Sequence, residues 1–148
     1  MVPEAYRYPA TTRRIALIAE SHGRLLGRDL VAPGADPVAA LWEAPLAVVA
    51  HGTEPDPLFF FGNRAALAAF EAAPDQFIGM PSRLSAEAPL QGERQALLDR
   101  VSSQGFIDDY SGIRISLAGR RFRIAGAAVW NLLDEQGVRH GQAAAFAV

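Results

Sequence analysis

Apolar and polar positions alternate along this chain with two different periods, and the change of period divides it. From Thr12 to Leu30 the residues Ile15, Ile18, His22, Leu25 and Leu26 recur at three- and four-residue spacing, with Arg13, Arg14, Glu20, Arg24 and Arg28 between them. That spacing predicts an amphipathic helix. VAPGADP breaks it, and Asp36 followed by Pro37 predicts a short second helix with Val38, Leu41 and Trp42 on its apolar face. Pro45 ends that element, because proline disfavours helical geometry in the residue before it. Leu46 to Ala50 and Leu58 to Gly62 then read as strands, joined through HGTEPDP into a hairpin. The rings of Phe59, Phe60 and Phe61 fall on both faces of the sheet, since successive strand side chains alternate.

Asn63 follows the second strand as an N-cap, its side-chain oxygen accepting from an otherwise orphan helix N–H. The helix after it presents Ala66, Leu67, Ala69 and Phe70 to the sheet. One further turn carries Phe77 and Ile78. A second helix is expected to start between Ser85 and Pro89, with Ser85 as cap and Glu87 in its first turn. Its buried stripe is Leu90, Leu97, Leu98 and Val101, and Gly105 closes it. The last third is extended: Phe106 to Leu117, Arg121 to Leu133 and Val138 to Val148, with Gly-containing turns between. Phe122, Ile124, Ala128, Trp130 and Leu132 share a parity that predicts one core face. Gly112 and Gly126 are marked as bulge positions across which parity is unsafe.

Two strands, helices, then three strands make an α+β chain: a five-stranded antiparallel sheet with helices inserted between strands 2 and 3 and an amphipathic helix before it. We divide the sequence into a lead-in (residues 1–12) that is loose or orders on contact, a helical segment (13–44) and the sheet-forming domain (45–148).

Composition narrows the function classes. The 148 residues are half hydrophobic, enough for one core. The formal net charge of −2 gives no global field for nucleic acid or anionic lipid. All 14 basic residues are arginine. Without cysteine, disulfides, thiolate nucleophiles and cysteine-ligated metals are excluded. No apolar signal region and no run of about 18 or more apolar residues occurs, which points to a cytoplasmic protein without a membrane segment.

Candidate chemistry is sparse. Asp108 and Asp109 are adjacent on a strand and do not share one site. His51, His140 and these aspartates would form a general-base dyad or a weak metal site only if the fold converged them. His22, on the apolar stripe of the first helix, reads as a core or interface residue rather than a ligand. The spacing HGTEP matches no metal motif, and there is neither a phosphate loop nor a nucleophile elbow. No catalytic residue, metal ligand or cofactor is assigned. The arginines at 114, 120, 121 and 123 read as a solvated face with acidic partners. The small side chains Ala143, Ala144, Ala145 and Ala147 leave room for a ligand or for a close helix.

The segments HGTEPDP (51–57), NRAAL (63–67), PSRLSAE (81–87), GFIDDYSGIRIS (105–116), GRRF (119–122), AVWNLLDEQG (128–137) and HGQAAAF (140–146) together resemble the MEKHLA family. This PAS-like domain is known as a stand-alone bacterial protein and at the C-terminus of some plant homeodomain-leucine zipper regulators. The resemblance covers roughly residues 40–148 and implies a PAS-like fold with a sensory or protein-interaction role. It implies no catalytic residues. With no homeodomain or zipper in this sequence, DNA regulation does not transfer.

The expected function is a non-enzymatic sensor or interaction module. A small apolar ligand would sit between sheet and helices, and a homodimer or protein partner would carry the signal. The residues expected at that pocket are Phe61, Leu67, Phe70, Ile115, Trp130 and Phe146, with Asn63, Arg83 and His140 as polar contacts. Two alternatives stand beside it. One is a small isomerase- or hydratase-like enzyme using Asp108, Asp109 or His51 as base, and the other a ligand-free dimerisation module. The first helix is expected to pack on the convex face of the sheet or against its twin.

Overall fold

The computed structural model describes residues 1–87 and 91–148. Helix α1 (Pro9–Leu26) starts on a proline, whose missing N–H falls where a helix offers no acceptor. It ends at Gly27, whose φ of 73° suits a residue without Cβ. The helix therefore begins three residues ahead of Thr12, and the lead-in before it is packed. Residues Glu4–Arg7 form a 3-10 turn, and Tyr6 within it is fully buried. Its hydroxyl donates to the Gly62 carbonyl at 2.8 Å and accepts from the Gly62 N–H at 3.0 Å.

Helix α2 (Pro37–Glu43) follows, burying Val38, Leu41 and Trp42 as the spacing predicts. Asp36 stands at its N-cap position, but the carboxylate pairs with Arg7 at 2.8 Å. Strands β1 (Ala47–His51) and β2 (Phe59–Gly62) form the expected antiparallel hairpin. Helices α3 (Arg64–Phe70) and α4 (Pro74–Phe77) come next, then a 3-10 turn at Ser82–Ser85. Helix α5 is Gln91–Gln104. Ser85 does not cap it: its hydroxyl donates to the Ser82 carbonyl at 2.7 Å, and Glu87 pairs with Arg121. Leu90 and part of the expected helix start lie outside the described residues. The chain closes with β3 (Phe106–Ile115), β4 (Arg121–Leu133) and β5 (Arg139–Phe146).

The sheet is antiparallel with spatial order β2-β1-β5-β4-β3, which places the alanine-rich β5 at its centre. The free side of β2 is covered: Phe59 N–H donates to the Met80 carbonyl at 3.0 Å, and Gly79 N–H to the Phe59 carbonyl at 2.8 Å. Helix α1 lies across one face, where its apolar stripe is used within its own chain. Trp130 is fully buried there, its indole N–H donating to the Ile18 carbonyl at 3.1 Å. Ser21 Oγ accepts from Leu133 N–H at 2.8 Å. His22 meets Trp130 edge-on at 4.8 Å between ring centroids and its Nδ1 bonds the Arg28 carbonyl. It is a buried structural histidine whose pKa burial lowers.

Bulges decide which side chains face which layer. Ala50 pairs with Phe61 and His51 with Phe59, leaving Phe60 as an extra residue on β2. Phe59 accordingly stacks on Phe77 of α4 at 4.3 Å, whereas Phe60 lies under Arg14 of α1 and Phe61 against Tyr6. On β4, Ala127 pairs with Tyr110 and Ile124 with Gly112, so the interval around Gly126 (φ 62°) holds an extra residue. That inverts the face parity. Trp130, Leu132 and Ala128 therefore do not share a face with Phe122 and Ile124, as one continuous strand would require. Phe122 packs on Phe70 of α3 instead, at 5.1 Å.

Candidate functional site

The face of the sheet opposite α1 is roofed by α3, α4, the turn at Ser82–Ser85 and α5, and a cavity remains beneath them. Its volume is about 60 Å³, against the roughly 10–15 Å³ that one water requires on this scale. Val49, Ile124, Val129 and Phe146 line it from the sheet, and Leu97 and Phe70 from the helices. Ala144 of β5, paired with Val49 on one side and Val129 on the other, lines it with a methyl group alone.

Polar side chains line this cavity from β1, β3, β5, α5 and the turn at Ser82–Ser85. His51, at the end of β1, is 6% exposed. Its Nδ1 bonds the Gly52 carbonyl at 3.0 Å, while Nε2 is buried with no partner among the described residues. A carbonyl only accepts, so Nδ1 carries the proton and Nε2 presents a lone pair. Burial pushes the His51 pKa down to about 4, with the positive charges of Arg94 and Arg139 adding to the effect and the Gly52 carbonyl and Glu54 opposing it. The imidazole is neutral at pH 7.

Gln142 is His51's direct partner across β1 and β5. Its Nε2 lies 3.2 Å from the Leu98 carbonyl, 3.1 Å from Ser102 Oγ and 3.0 Å from Asn131 Oδ1. These acceptors orient the amide, and Oε1 is left buried without a partner among the described residues. Asn131 in turn donates to the Val101 carbonyl at 3.1 Å, so a polar row ties the sheet to α5. The strands approach closely here. A Cβ on Gly141, whose φ is 148°, would fall 2.0 Å from the His51 carbonyl oxygen.

The third group is Arg94 of α5, 6% exposed, which donates to Ser82 Oγ. Among the described residues no carboxylate pairs with it. Burial, and next the positive charge of Arg114, bring its pKa down to about 10 against the opposing influence of Tyr110 and the Asp56 carboxylate, a value that keeps it charged at neutral pH. Arg114 and Tyr110 line the same cavity, the guanidinium lying 5.2 Å from the ring centroid. Among the described residues no carboxylate lines the cavity. One other buried polar atom without a partner, Trp42 Nε1, lies on α2 away from it.

Of the residues expected at the pocket, Phe70 and Phe146 line it. Phe61 and Trp130 lie on the α1 face, for the bulge reasons given above. Asn63 is spent on structure: Oδ1 accepts from Ala66 N–H at 3.0 Å and Val48 N–H at 2.9 Å, while Nδ2 donates to the Leu41 and Leu46 carbonyls. Leu67 packs beneath Gly62. Arg83 bonds Asp56 at 3.2 Å outside the cavity, and Ile115 pairs with Arg121 at the far end of β3. His140 bonds Asp134 at 2.8 Å in the β4–β5 turn, and this contact holds the Asp134 carboxyl below its usual range. Asp108 and Asp109 are both exposed on β3, so neither they nor His140 join His51.

Gln142 and Arg94 were not among the expected residues, although each left a trace in the sequence. Gln142 is the polar residue that immediately precedes the alanine run of residues 143–145. Arg94 stands three, four and seven residues before Leu97, Leu98 and Val101, on the stripe that α5 buries.

Comparisons with known proteins agree with the architecture. The model of the family described as the MEKHLA domain matches residues 12–148. No curated protein matches the chain. Among solved structures, the PAS domain of a protein from Colwellia psychrerythraea aligns with a TM-score of 0.62 and 14% identity, over 73% of this chain and 89% of that one. An RNA-binding light-oxygen-voltage receptor aligns at 0.62 and 16%, over 73% of this chain and 31% of its own. The light-state dimer of the fungal blue-light photoreceptor Vivid aligns at 0.56 and 12%, over 72% and 79%. At these identities the likeness is one of fold.

Proposed function

The chain belongs to the MEKHLA domain family and has the fold of PAS sensory domains, and on that premise we propose that it is a non-enzymatic sensory or protein-interaction module that takes up a small ligand in the cavity between the sheet and α5. The observation that carries this reading is the pairing of apolar walls with buried polar atoms that have no partner among the described residues, at His51 and Gln142. Buried acceptors are costly when unpaired, and ligand sites are built from a few such groups in an apolar shell. Occupancy would shift the balance of conformations that a partner reads.

A homodimer or a second protein is the natural reader. With the apolar stripe of α1 consumed on its own sheet, the surface offered to a partner lies elsewhere. The open edge of β3, where Ile113 is 44% exposed and Leu117 beyond it 43%, is the surface we favour. Among the described residues no helix is long and apolar enough to cross a membrane, and we place the protein in the cytoplasm. The enzyme reading keeps only His51 as a base inside the cavity, and a pKa near 4 is poorly matched to proton abstraction at pH 7. The ligand-free dimerisation reading requires a solid core, which the cavity disfavours.

Native mass spectrometry of protein purified from its own host tests the proposal. We expect a small mass carried non-covalently by the wild-type chain and absent from an Ala144→Leu variant, together with a dimer or a co-purifying protein. A bare monomer from every growth condition would count against both parts.

A further inference from the structure

Taking the cavity as a ligand site, its polar groups specify the ligand's chemistry. Arg94 is a buried guanidinium whose side-chain bond goes to a neutral serine, and Arg114 brings a second positive charge to the same walls. A buried cation is retained when an anion or a dense set of acceptors meets it. Among the described residues the cavity walls provide no carboxylate. Guanidinium and carboxylate match in a planar, two-bond geometry.

The opposite side of the cavity makes the reverse demand. His51 Nε2 and Gln142 Oε1 are both acceptors, for the tautomer and amide orientation are fixed by the Gly52 and Leu98 carbonyls. Their residues face each other directly across two strands, where side chains start about 5 Å apart. A ligand O–H or N–H placed there satisfies the site. An ammonium would add a third positive charge beside Arg94 and Arg114, so a hydroxyl is the better donor. The remaining walls, Val49, Leu97, Ile124, Val129 and Phe146, are carbon, which suits a short chain and disfavours a bare inorganic anion. A volume of about 60 Å³ admits a handful of heavy atoms.

We infer that the ligand is a short-chain hydroxy acid, with its carboxylate on Arg94 and its hydroxyl between Gln142 Oε1 and His51 Nε2. This identity rests on the ligand-binding reading of the cavity proposed above and can fail without it.

Amide-resolved NMR titration of the full chain tests it, using 2-hydroxybutyrate, butyrate, 2-hydroxybutyramide, n-butanol and inorganic phosphate as probes. The hydroxy acid should shift the amides of His51, Gln142 and Ala144 and bind about tenfold more tightly than butyrate or the amide, the effect of one unpaired buried group. Arg94→Met should weaken it by about tenfold or more, and Gln142→Leu should erase its advantage over butyrate. If either variant loses the dispersed spectrum of a folded chain, the probe series on wild type decides alone. Equal or tighter binding of n-butanol or the amide would overturn the anion assignment while leaving a ligand cavity. Tightest binding of phosphate would overturn the carbon skeleton. If no probe shifts the cavity amides, the ligand reading itself falls with the inference.

Discussion

The two faces of this sheet use the same strands to opposite ends. On the α1 side, Trp130 fills the space over Ala143 and Ala145, and the polar groups of Tyr6, Ser21, His22 and Trp130 all find partners. On the α5 side, small residues are not matched by a large one, and buried polar atoms of His51 and Gln142 are left over. Among the described residues Trp42 Nε1, on α2, is the one such atom away from the cavity, whereas on the α5 face unfilled volume and unpaired acceptors coincide. The contrast shows that burial alone does not identify a site; unfilled volume together with unspent hydrogen-bonding capacity does.

The largest expected effect lies on the filled face. Trp130→Ala should cost about 3–5 kcal/mol in urea unfolding, through lost burial and a cavity that the α1 layer cannot close. A loss below about 1 kcal/mol would show that this face is looser than described. The next effect lies on the unfilled face and depends on pH. The folded-state pKa of His51 is about 4, below the 6.5 of an unperturbed histidine, so between these values the unfolded chain binds a proton that the folded chain does not. Stability should therefore be fully present above about pH 6.5 and fall as the pH drops towards 4, by at most about 1.4 kcal/mol per unit. A His51→Gln variant should lack that component when unfolding is followed from pH 7 to 4. An identical slope in the variant would assign the acid sensitivity to other groups. The smallest effect tests the unfilled volume: Ala144→Val should raise stability by about 0.5–1 kcal/mol by filling it. A loss of that size in thermal melts would mean that the space is already tightly packed.

Much of the fold was legible because its signals are local. The Asn63 cap, the three alternating runs of the last third and the Gly-containing turns each rest on residues a few positions apart. They led to the observed order of elements and to the resemblance in fold. The site was less legible because it depends on bulges and on contacts between distant segments. One extra residue near Gly126 sends Trp130 to the α1 face, and another at Phe60 does the same for Phe61. Gly126 itself was a visible warning. Tyr6 carried no such signal: its partner Gly62 is 56 residues away, and nothing periodic links the two. Arg94 was legible by spacing, but an arginine on a buried stripe reads as solvated until a cavity is seen beside it.

Gly141 gives this asymmetry a consequence for anyone who would redesign or trace the domain. With a Cβ excluded 2.0 Å from the His51 carbonyl, the approach of β5 to β1 is set by main chain alone. Side-chain variation can retune the walls and the roof, but the spacing of the two acceptors is inherited with the glycine. A chain with any other residue at this point must carry a different cavity floor, whatever the rest of its sequence retains.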